Sequence, residues 1–423
     1  MGAIMDEERE MVLRMLKEGK ITVEEADALL QELVEQRSDQ EGASAPVPPP
    51  PGSPGGPDAR EELRTVFQDL MDAIPKDVVR ELKQAREVFR PGFAHVLRGL
   101  RGLAEGRAEM TAEEAMSPGD QLVLSNAWGD VALVASPDER LRLRAAKRVW
   151  AETEEEAQQE AEALPVEVRR RGTSVEITVP RPMPGHRRSR VDFHLEVPAK
   201  VDVRVEAAKG DVAAEALRGR IDLRIARGEV KVRDHEGEVN LDVVSGDVEL
   251  GTIRGDVRLD VRSGDISVRQ VDGAMRGRII HGDVSIHEVG DLVLDVIHGD
   301  VAAARVNGTV DVETKSGDIA VADAHVREVR MRTLSGDVEL SLEELGEGPL
   351  TVETISGDIE VGLPATARAT IEASTRSGSI HSALTLQQTT GDRRSLRGVL
   401  NAPGAPVRLS ATSGDIEIRE RRR

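Results

Sequence analysis

Aspartates that directly follow glycines are the residues of this sequence best suited to bind a ligand. They recur at intervals of 17 to 19 residues along the central repeats, and the set considered as calcium ligands is Asp247, Asp265, Asp283, Asp300 and Asp318. If successive intervals stack as rungs ~5 Å apart, each adjacent pair of carboxylates repels by roughly 1 kcal/mol even at the dielectric constant of water. Calcium would relieve this repulsion, because hard cations take clustered oxygen ligands.

The register of the motif nevertheless argues against calcium. The calcium-binding nonapeptide repeat GGxGxDxUx has its aspartate two residues after the last glycine, whereas here aspartate follows glycine directly. An aspartate beside a turn glycine can hydrogen-bond local backbone amides, which explains the motif without a metal. We therefore predict no bound metal and no cofactor.

Two histidines and the wider motif search give no catalytic centre. His281 and His298 occupy the position that serine takes in neighbouring repeats. Two imidazoles could hold a transition metal, but no third ligand is evident, so exchangeable turn residues are the favoured interpretation. The sequence contains no nucleophile elbow, HExxH or P-loop. A β-helical polysaccharide lyase is the most plausible enzyme class, but the chain lacks a distinct cleft-forming insertion, so we predict no enzyme activity and no catalytic residues.

The elements that position these residues are set by a glycine period. Glycines recur every nine residues from Gly210 to Gly317, with one gap of eight after Gly282. Nine residues hold one strand of about five residues and one turn of about four, so 18 residues make a rung with two edges. The glycines from Gly219 to Gly308 that lie between the turn glycines would line the second edge. The predicted structural turns of the first edge are Gly210, Gly228, Gly246, Gly264, Gly282, Gly299, Gly317, Gly336 and Gly357.

The strands between these turns alternate apolar and polar residues. Val257, Leu259 and Val261 would point inward, while Arg258 and Asp260 would point outward. The predicted fold is therefore mainly β, a β-solenoid (β-helix-like) of about 18-residue rungs preceded by small α-helical segments. An antiparallel meander of nine-residue strands is the alternative, and it has the same turns and inward residues.

The N-terminal quarter has a different pattern. Residues 1–37 are predicted to form a helical hairpin that is too small to bury a core alone, and so to pair with a partner or with a copy of itself. Residues 38–57 are a Pro/Gly-rich linker. Residues 58–107 have amphipathic helical periodicity, and the β-strand-repeat domain is predicted over 118–423, with one acidic helix at 152–163. The candidates for contact with an anionic membrane or a partner are Arg86, Arg90, Arg98 and Arg101.

Composition excludes several functions. The 423 residues carry a formal charge of -20, which argues against nucleic acid as a partner. There are no cysteines, so no disulfide or thiolate site is available. No apolar run is long enough for a membrane-spanning helix, and the acidic N-terminus predicts no secretory signal. The predicted location is the cytoplasm, with its membrane surface as the alternative.

Three features together resemble a known bacterial family. They are LKEGKITVEEADALLQEL near the N-terminus, the segment RLRLRAAKRVWAETEEEAQQEAEAL, and the recurring SGD(I/V)xV. The chain resembles the adhesin-like β-strand-repeat family of the domain-of-unknown-function class (YvlB/LiaX-like), with a SHOCT-like hairpin at 6–37. The resemblance implies a non-catalytic sensing or scaffolding role in cell-envelope stress, with protein partners. An adhesin-type module that binds calcium or glycan is the alternative function.

Overall fold

The computed structural model describes residues 103–179 and 189–421, which form strands and one helix. The elements at the N-terminal end are β1 (Ala104–Ala115), β2 (Gln121–Asn126), β3 (Val131–Ser136), β4 (Arg140–Ala151), α1 (Glu154–Ala163), β5 (Glu167–Arg171), β6 (Ser174–Thr178), β7 (Ser189–Pro198), β8 (Asp202–Ala207) and β9 (Val212–Glu215). The central strands are β10 (Ile221–Arg227), β11 (Val230–Arg233), β12 (His235–Glu236), β13 (Val239–Ser245), β14 (Val248–Arg254), β15 (Val257–Ser263), β16 (Ile266–His281), β17 (Val284–His298), β18 (Val301–Val306), β19 (Thr309–Ser316), β20 (Ile319–Val326), β21 (Glu328–Ser335), β22 (Val338–Leu345), β23 (Leu350–Ser356) and β24 (Ile359–Leu363). The last strands are β25 (Ala369–Ser377), β26 (Ile380–Ser382), β27 (Gln387–Gly391), β28 (Ser395–Leu400), β29 (Ala405–Ser413) and β30 (Ile416–Glu420).

The central strands form a parallel β-solenoid, which confirms the predicted fold. Val239 pairs with Val257 and Val257 pairs with Met275, so each strand lies beside its equivalent 18 residues later. Strands that precede a Gly-Asp turn form sheet A, and strands that follow it form sheet B. Because the pairing is parallel, the antiparallel meander is wrong.

The two sheets enclose one thin core. Residues predicted to point inward are buried, including Val257, Leu259 and Val261 on sheet A and Ile266 and Val268 on sheet B. The buried apolar cluster is continuous from Met116 to Ile418. The rung with the eight-residue glycine gap is one residue shorter than its neighbours. The missing residue is at the second edge, where the register of β16 and β17 shifts between Val271 and Ala274.

Both ends of the solenoid depart from chain order. The β2–β3 rung lies between the β6–β7 rung and the β8–β9 rung. At the other end, β29–β30 lies between β23–β24 and β25–β26. Antiparallel strands then close each end: β4 and β1 extend sheet B beside β7, and β28 and β27 extend sheet A beside β25.

The N-terminal cap includes the predicted acidic helix, which is confirmed as α1. The Thr153 hydroxyl caps it by accepting a hydrogen bond from the N–H of Glu156 at 3.2 Å. One boundary was wrong, because residues 104–107, assigned to the helical segment, belong to strand β1. Pairing with β4 over the whole of β1 prevails over the helical preference of its alanine and glutamate residues. The β domain therefore already includes Ala104, ahead of the predicted residue 118.

The remaining N-terminal predictions lie outside the described residues. These are the hairpin at 1–37, the linker at 38–57 and the helical segment from 58 to 102.

Candidate functional site: the Gly-Asp edge and the outer strand faces

The Gly-Asp edge is a column of stacked turns. The nine predicted turn glycines all have positive φ, between +141° and +150°. At Gly264, a Cβ atom would also lie 2.1 Å from the carbonyl oxygen of Gly246 in the neighbouring rung. Glycine is therefore required both for its backbone conformation and for the close approach of adjacent rungs. The second requirement comes from stacking and is not evident in a single repeat.

The aspartates of this edge bond one rung to the next. Oδ1 of Asp247 accepts a hydrogen bond from the backbone N–H of Asp265 at 2.9 Å. The same bond joins Asp265, Asp283, Asp300 and Asp318 to the N–H of the next aspartate, at distances of 2.7 to 3.0 Å. We call this series the Asp ladder. It brings all five calcium candidates into one column, with one oxygen of each already bound by an amide.

This arrangement gives the column a structural function. Calcium takes six to eight oxygen ligands, and the described residues contain no group of three or more His, Asp or Glu side chains placed to hold a metal ion. Burial raises the pKa of the Asp318 carboxyl, and the nearby Asp337 and Asp300 carboxylates raise it further. The backbone amides therefore stabilise carboxylates that would otherwise repel one another.

The two histidines of the same edge lie face to face. The rings of His281 and His298 are 5.0 Å apart between centroids, with 5° between their planes. The lone pair of an imidazole nitrogen lies in the ring plane, so parallel stacked rings do not aim two nitrogens at one ion. Both histidines pair with serines of the flanking rungs, Ser263 and Ser316. The geometry fits exchangeable turn residues.

The Asp ladder has two ends and one gap. In space it begins with Asp192, Asp130 and Asp211, each accepting from the next N–H along the edge. The gap is at Glu229, and no side chain in the described part of the chain accepts a hydrogen bond from the Asp247 amide that follows. At the other end, Asp358 accepts from Asp415, and Asp415 accepts from Ser379. Ser379 takes the aspartate position in the outermost rung, where no further rung needs an acceptor.

The outer face of sheet A carries charges of both signs on opposite sides of one groove. A shallow groove over Gly277 has Arg258, Arg276 and Arg278 on one side. Asp295, Asp311 and Glu313, from the next two strands, lie on the other side. Arg258 and Arg276 are direct cross-strand neighbours. Arg258 is ion-paired with Glu238, whereas Arg276 has no ion pair among the described residues.

A row of outward positions beside this groove, towards the Gly-Asp edge, holds three exposed apolar side chains and is interrupted by Arg262 and Lys315. Val244, Leu334 and Ile355 are exposed on it by 39%, 48% and 52%. The alternation of residues predicts that these side chains point outward. Only the stack shows that they share one row.

Some notable residues were not predicted from the sequence. Trp128 stacks on Trp150 at 5.6 Å, with Lys209 Nζ 5.1 Å from the Trp128 ring centre. Lys147 is buried and donates to the carbonyls of Glu162 and Leu164 at the end of α1, at 3.2 and 2.9 Å. Alternation in β4 placed Lys147 among inward residues, which is the signal that could have identified it.

The candidates for membrane contact, Arg86, Arg90, Arg98 and Arg101, lie outside the described residues. No helix in the described part of the chain is long and apolar enough to cross a membrane.

The stacked parallel rungs and the amide-bound aspartates define a β-solenoid repeat protein. Residues 255–419 match the family model described as Toastrack DUF4097, which covers the rungs from β15 onward. Residues 7–37 match the model described as a SHOCT-like domain. These matches confirm the predicted β-repeat class and the SHOCT-like N-terminal domain, while the narrower YvlB/LiaX-like assignment stays a prediction. A comparison with curated proteins found no match.

Three solved structures are similar to this chain in part. A candidate cell adhesion protein from Clostridium sporogenes is 9% identical, covers 74% of this chain and 100% of its own, and has a TM-score of 0.19. Candidate adhesins from Bacteroides fragilis and Parabacteroides distasonis are each 11% identical. Each match covers 74% of this chain and 97% of the adhesin, with a TM-score of 0.23. Scores this low carry no argument about function.

Proposed function

We propose that this chain is a non-catalytic interaction or scaffold protein that works at the bacterial cell envelope. Its solenoid is a rigid platform, and its N-terminal residues carry contacts with protein partners, including a second copy through the hairpin at 1–37. The site of action is the cytoplasm or its membrane surface. A role in envelope stress rests on the family resemblance alone.

One observation carries the platform role. The aspartates of the repeated turns are bound within the fold by the Asp ladder, so the outer strand faces are the surfaces left for recognition. On sheet A, Arg258 and Arg276 lie side by side although directly opposed like charges destabilise a sheet. A partner with complementary charge would offset that cost.

The test is cross-linking of the full chain in cells, followed by identification of the attached proteins. Arg276→Glu should reduce the amount of cross-linked partner at the sheet A face by at least about threefold, because it reverses an exposed charge that no described residue pairs with. Arg269→Glu is the matched control, since Arg269 is exposed on the same strand but within sheet B. The proposal fails if the wild type attaches no reproducible partner, or if the two variants retain the same ones.

The membrane contact needs a separate test. Liposomes containing anionic lipid should carry the wild-type chain in flotation, and the double variant Arg98→Glu, Arg101→Glu should float at least about threefold less, because each basic residue near such a surface contributes roughly 1 kcal/mol. Equal flotation of the two proteins would remove membrane contact from the proposed function and leave the platform role standing.

A further inference from the structure

Strand β1 has a long edge that pairs with no other strand of the described residues. It runs from Ala104 to Ala115 and pairs along its whole length with β4, without a bulge. It is the outermost strand of sheet B at the N-terminal end. Its outer side therefore offers unpaired backbone groups to another strand.

The orientation of these backbone groups follows from two side chains. The Gln158 amide both accepts from the N–H of Arg107 and donates to its carbonyl, at 3.2 and 3.1 Å. The Arg170 guanidinium donates to the carbonyl of Ala115. The backbone groups of Arg107 and Ala115 that these side chains bond therefore point away from β4. Because strands repeat every two residues, the groups of Glu109, Thr111 and Glu113 point the same way, between these two contacts.

Between its two ends, which α1 and Arg170 cover, this edge lacks the protections found on the edges at the C-terminal end. At the C-terminal end, β26 has only three residues, and β27 has five residues and an irregular register with β28. β1 has twelve residues, no proline, and a half-buried inner face of Ala108, Met110 and Ala112 packed against the core. Natural sheet edges are usually kept short, bulged or charged on their inner face.

The charge of the region indicates what would pair there. Glu109 is exposed and has no ion pair among the described residues. Glu113 already pairs with Arg140 and Arg142 of β4, at 3.4 and 3.8 Å, which shows that basic side chains suit this strand. The helix beside β1 adds three glutamates in its first turn.

We propose that the outer edge of β1 binds an extended, basic segment of a partner protein as an added strand of sheet B. Backbone hydrogen bonds to Glu109, Thr111 and Glu113 would supply the affinity. Basic side chains facing Glu109 and Glu113, alternating with apolar ones beside Met110, would supply the specificity. A second copy of β1 fits less well, because its glutamates would oppose these.

A synthetic peptide can serve as the probe. The sequence RLRLRAAKRVW, residues 140–150, is basic, alternates basic and apolar residues over its first six positions, and already pairs with β1 on its other edge. We would measure its binding to the full-length chain by fluorescence anisotropy. Two further peptides carry N-methyl groups on one or the other alternate set of backbone nitrogens. In an added strand only one set faces β1, so one methylated peptide should bind at least about tenfold more weakly and the other nearly normally.

A variant of the chain gives the reciprocal test. Thr111→Pro removes an outward N–H and leaves the bonds to β4 in place, since proline is tolerated where the N–H of an edge strand faces solvent. It should weaken peptide binding by about tenfold or more. Thr111→Val keeps the N–H and should bind normally. Thermal unfolding checks that both variants fold. If Thr111→Pro does not fold, the comparison of the two methylated peptides tests the proposal by itself.

Three results would overturn the proposal: no binding of the unmodified peptide to the wild type, equal binding of the two methylated peptides, or undiminished binding to folded Thr111→Pro. Each would mean that the edge is closed or that attraction to the acidic surface is non-specific.

Discussion

The N-terminal end of the solenoid and its C-terminal end close the stack in related ways but with different material. At both ends one rung is inserted between two others, and antiparallel strands cover the outermost rung. The N-terminal cap adds a helix and the buried Lys147 to its two twelve-residue strands. The C-terminal cap has only β28 and the fully exposed β27.

This difference separates two purposes of a cap. Short, irregular strands such as β26 and β27 end a sheet in a form that does not invite another strand. The N-terminal cap instead protects the core with a helix and leaves a long, regular edge in β1. We infer that the C-terminal end terminates the solenoid, whereas the N-terminal end also supports recognition.

The largest expected effect comes from Gly106 in the N-terminal cap, and Gly398 in the C-terminal cap is the residue to compare with it. At Gly106, a Cβ atom would lie 1.9 Å from the backbone oxygen of Ala157 in α1. Gly106→Ala should therefore push the helix from β1 and cost about 3 kcal/mol, the upper range for overpacking. Gly398→Ala is the C-terminal counterpart, where the nearest atoms are the Leu386 side chain at 3.0 and 3.1 Å, and should cost less than about 1 kcal/mol.

Hydrogen exchange followed by mass spectrometry would localise these effects. Faster exchange in residues 154–163 of Gly106→Ala, with the C-terminal strands unchanged, is the expected pattern. Equal losses in the two variants would mean that the caps do not differ as the packing indicates.

Acid should destabilise the N-terminal half of the solenoid through His235. This ring is 1% exposed in an apolar corner, and neither of its nitrogens has a hydrogen-bond partner. Burial lowers the pKa of His235 below its ordinary value, although nearby backbone groups of Gly219, Leu217 and Glu238 favour protonation. The unfolded chain therefore binds the proton more readily, so stability should fall as pH drops below about 6.5 towards the lowered folded pKa.

The size of this pH effect is about 1.4 kcal/mol for each unit by which the pKa is lowered. His235→Leu should flatten the pH dependence in that window, because leucine occupies the equivalent corner position at Leu217. His381→Gln, which replaces an exposed histidine in β26 at the C-terminal end, is the control substitution. If His235→Leu loses stability at acid pH as the wild type does, another group controls that loss.

The repeat itself was predictable because one local pattern is reused. Each nine-residue unit contains its own turn glycine and inward residues, so the rungs, the turns and the core followed from spacing. The insertion of β29–β30 did not follow, because Gly378 and Gly414 head nearly identical motifs and a periodic core accepts either order. Only Ser379, in place of aspartate, marks the outermost rung. Strand β1 was also missed, because its alanine and glutamate residues favour helix and only β4 makes it a strand.

A column of threonines distinguishes the C-terminal rungs from the central ones. The inward position that Val261 holds in the central rungs is occupied further along the stack by Thr314, Thr333 and Thr354, then by Ala411, and by Thr375 in the outermost rung. The Thr375 hydroxyl donates to the carbonyl of Gly414 at 2.9 Å, whereas the Thr314 hydroxyl is buried without a partner.

The same substitution should therefore have opposite effects at two of these positions. Thr375→Val should lower the free energy of unfolding by about 1 kcal/mol, because it leaves the Gly414 carbonyl without that donor. Thr314→Val should raise it by a similar amount, because it removes an unsatisfied buried hydroxyl. Denaturant unfolding of both variants is the measurement, and a change of the same sign in both would contradict the role assigned to these hydroxyls.

The smallest effect tests the one gap in the Asp ladder. From Asp247 to Asp358 every aspartate accepts an amide of the next rung, but Glu229 does not reach the Asp247 amide and pairs with Lys231 at 3.0 Å. Glu229→Asp should restore the missing bond and raise stability by about 0.5 kcal/mol, the low end for a hydrogen bond, since an exposed ion pair is lost in exchange. Asp265→Glu, the reverse change within the unbroken part, should lower stability. If hydrogen exchange of the Asp247 amide is not slowed in Glu229→Asp, the shorter side chain is not sufficient, and the gap reflects the local backbone.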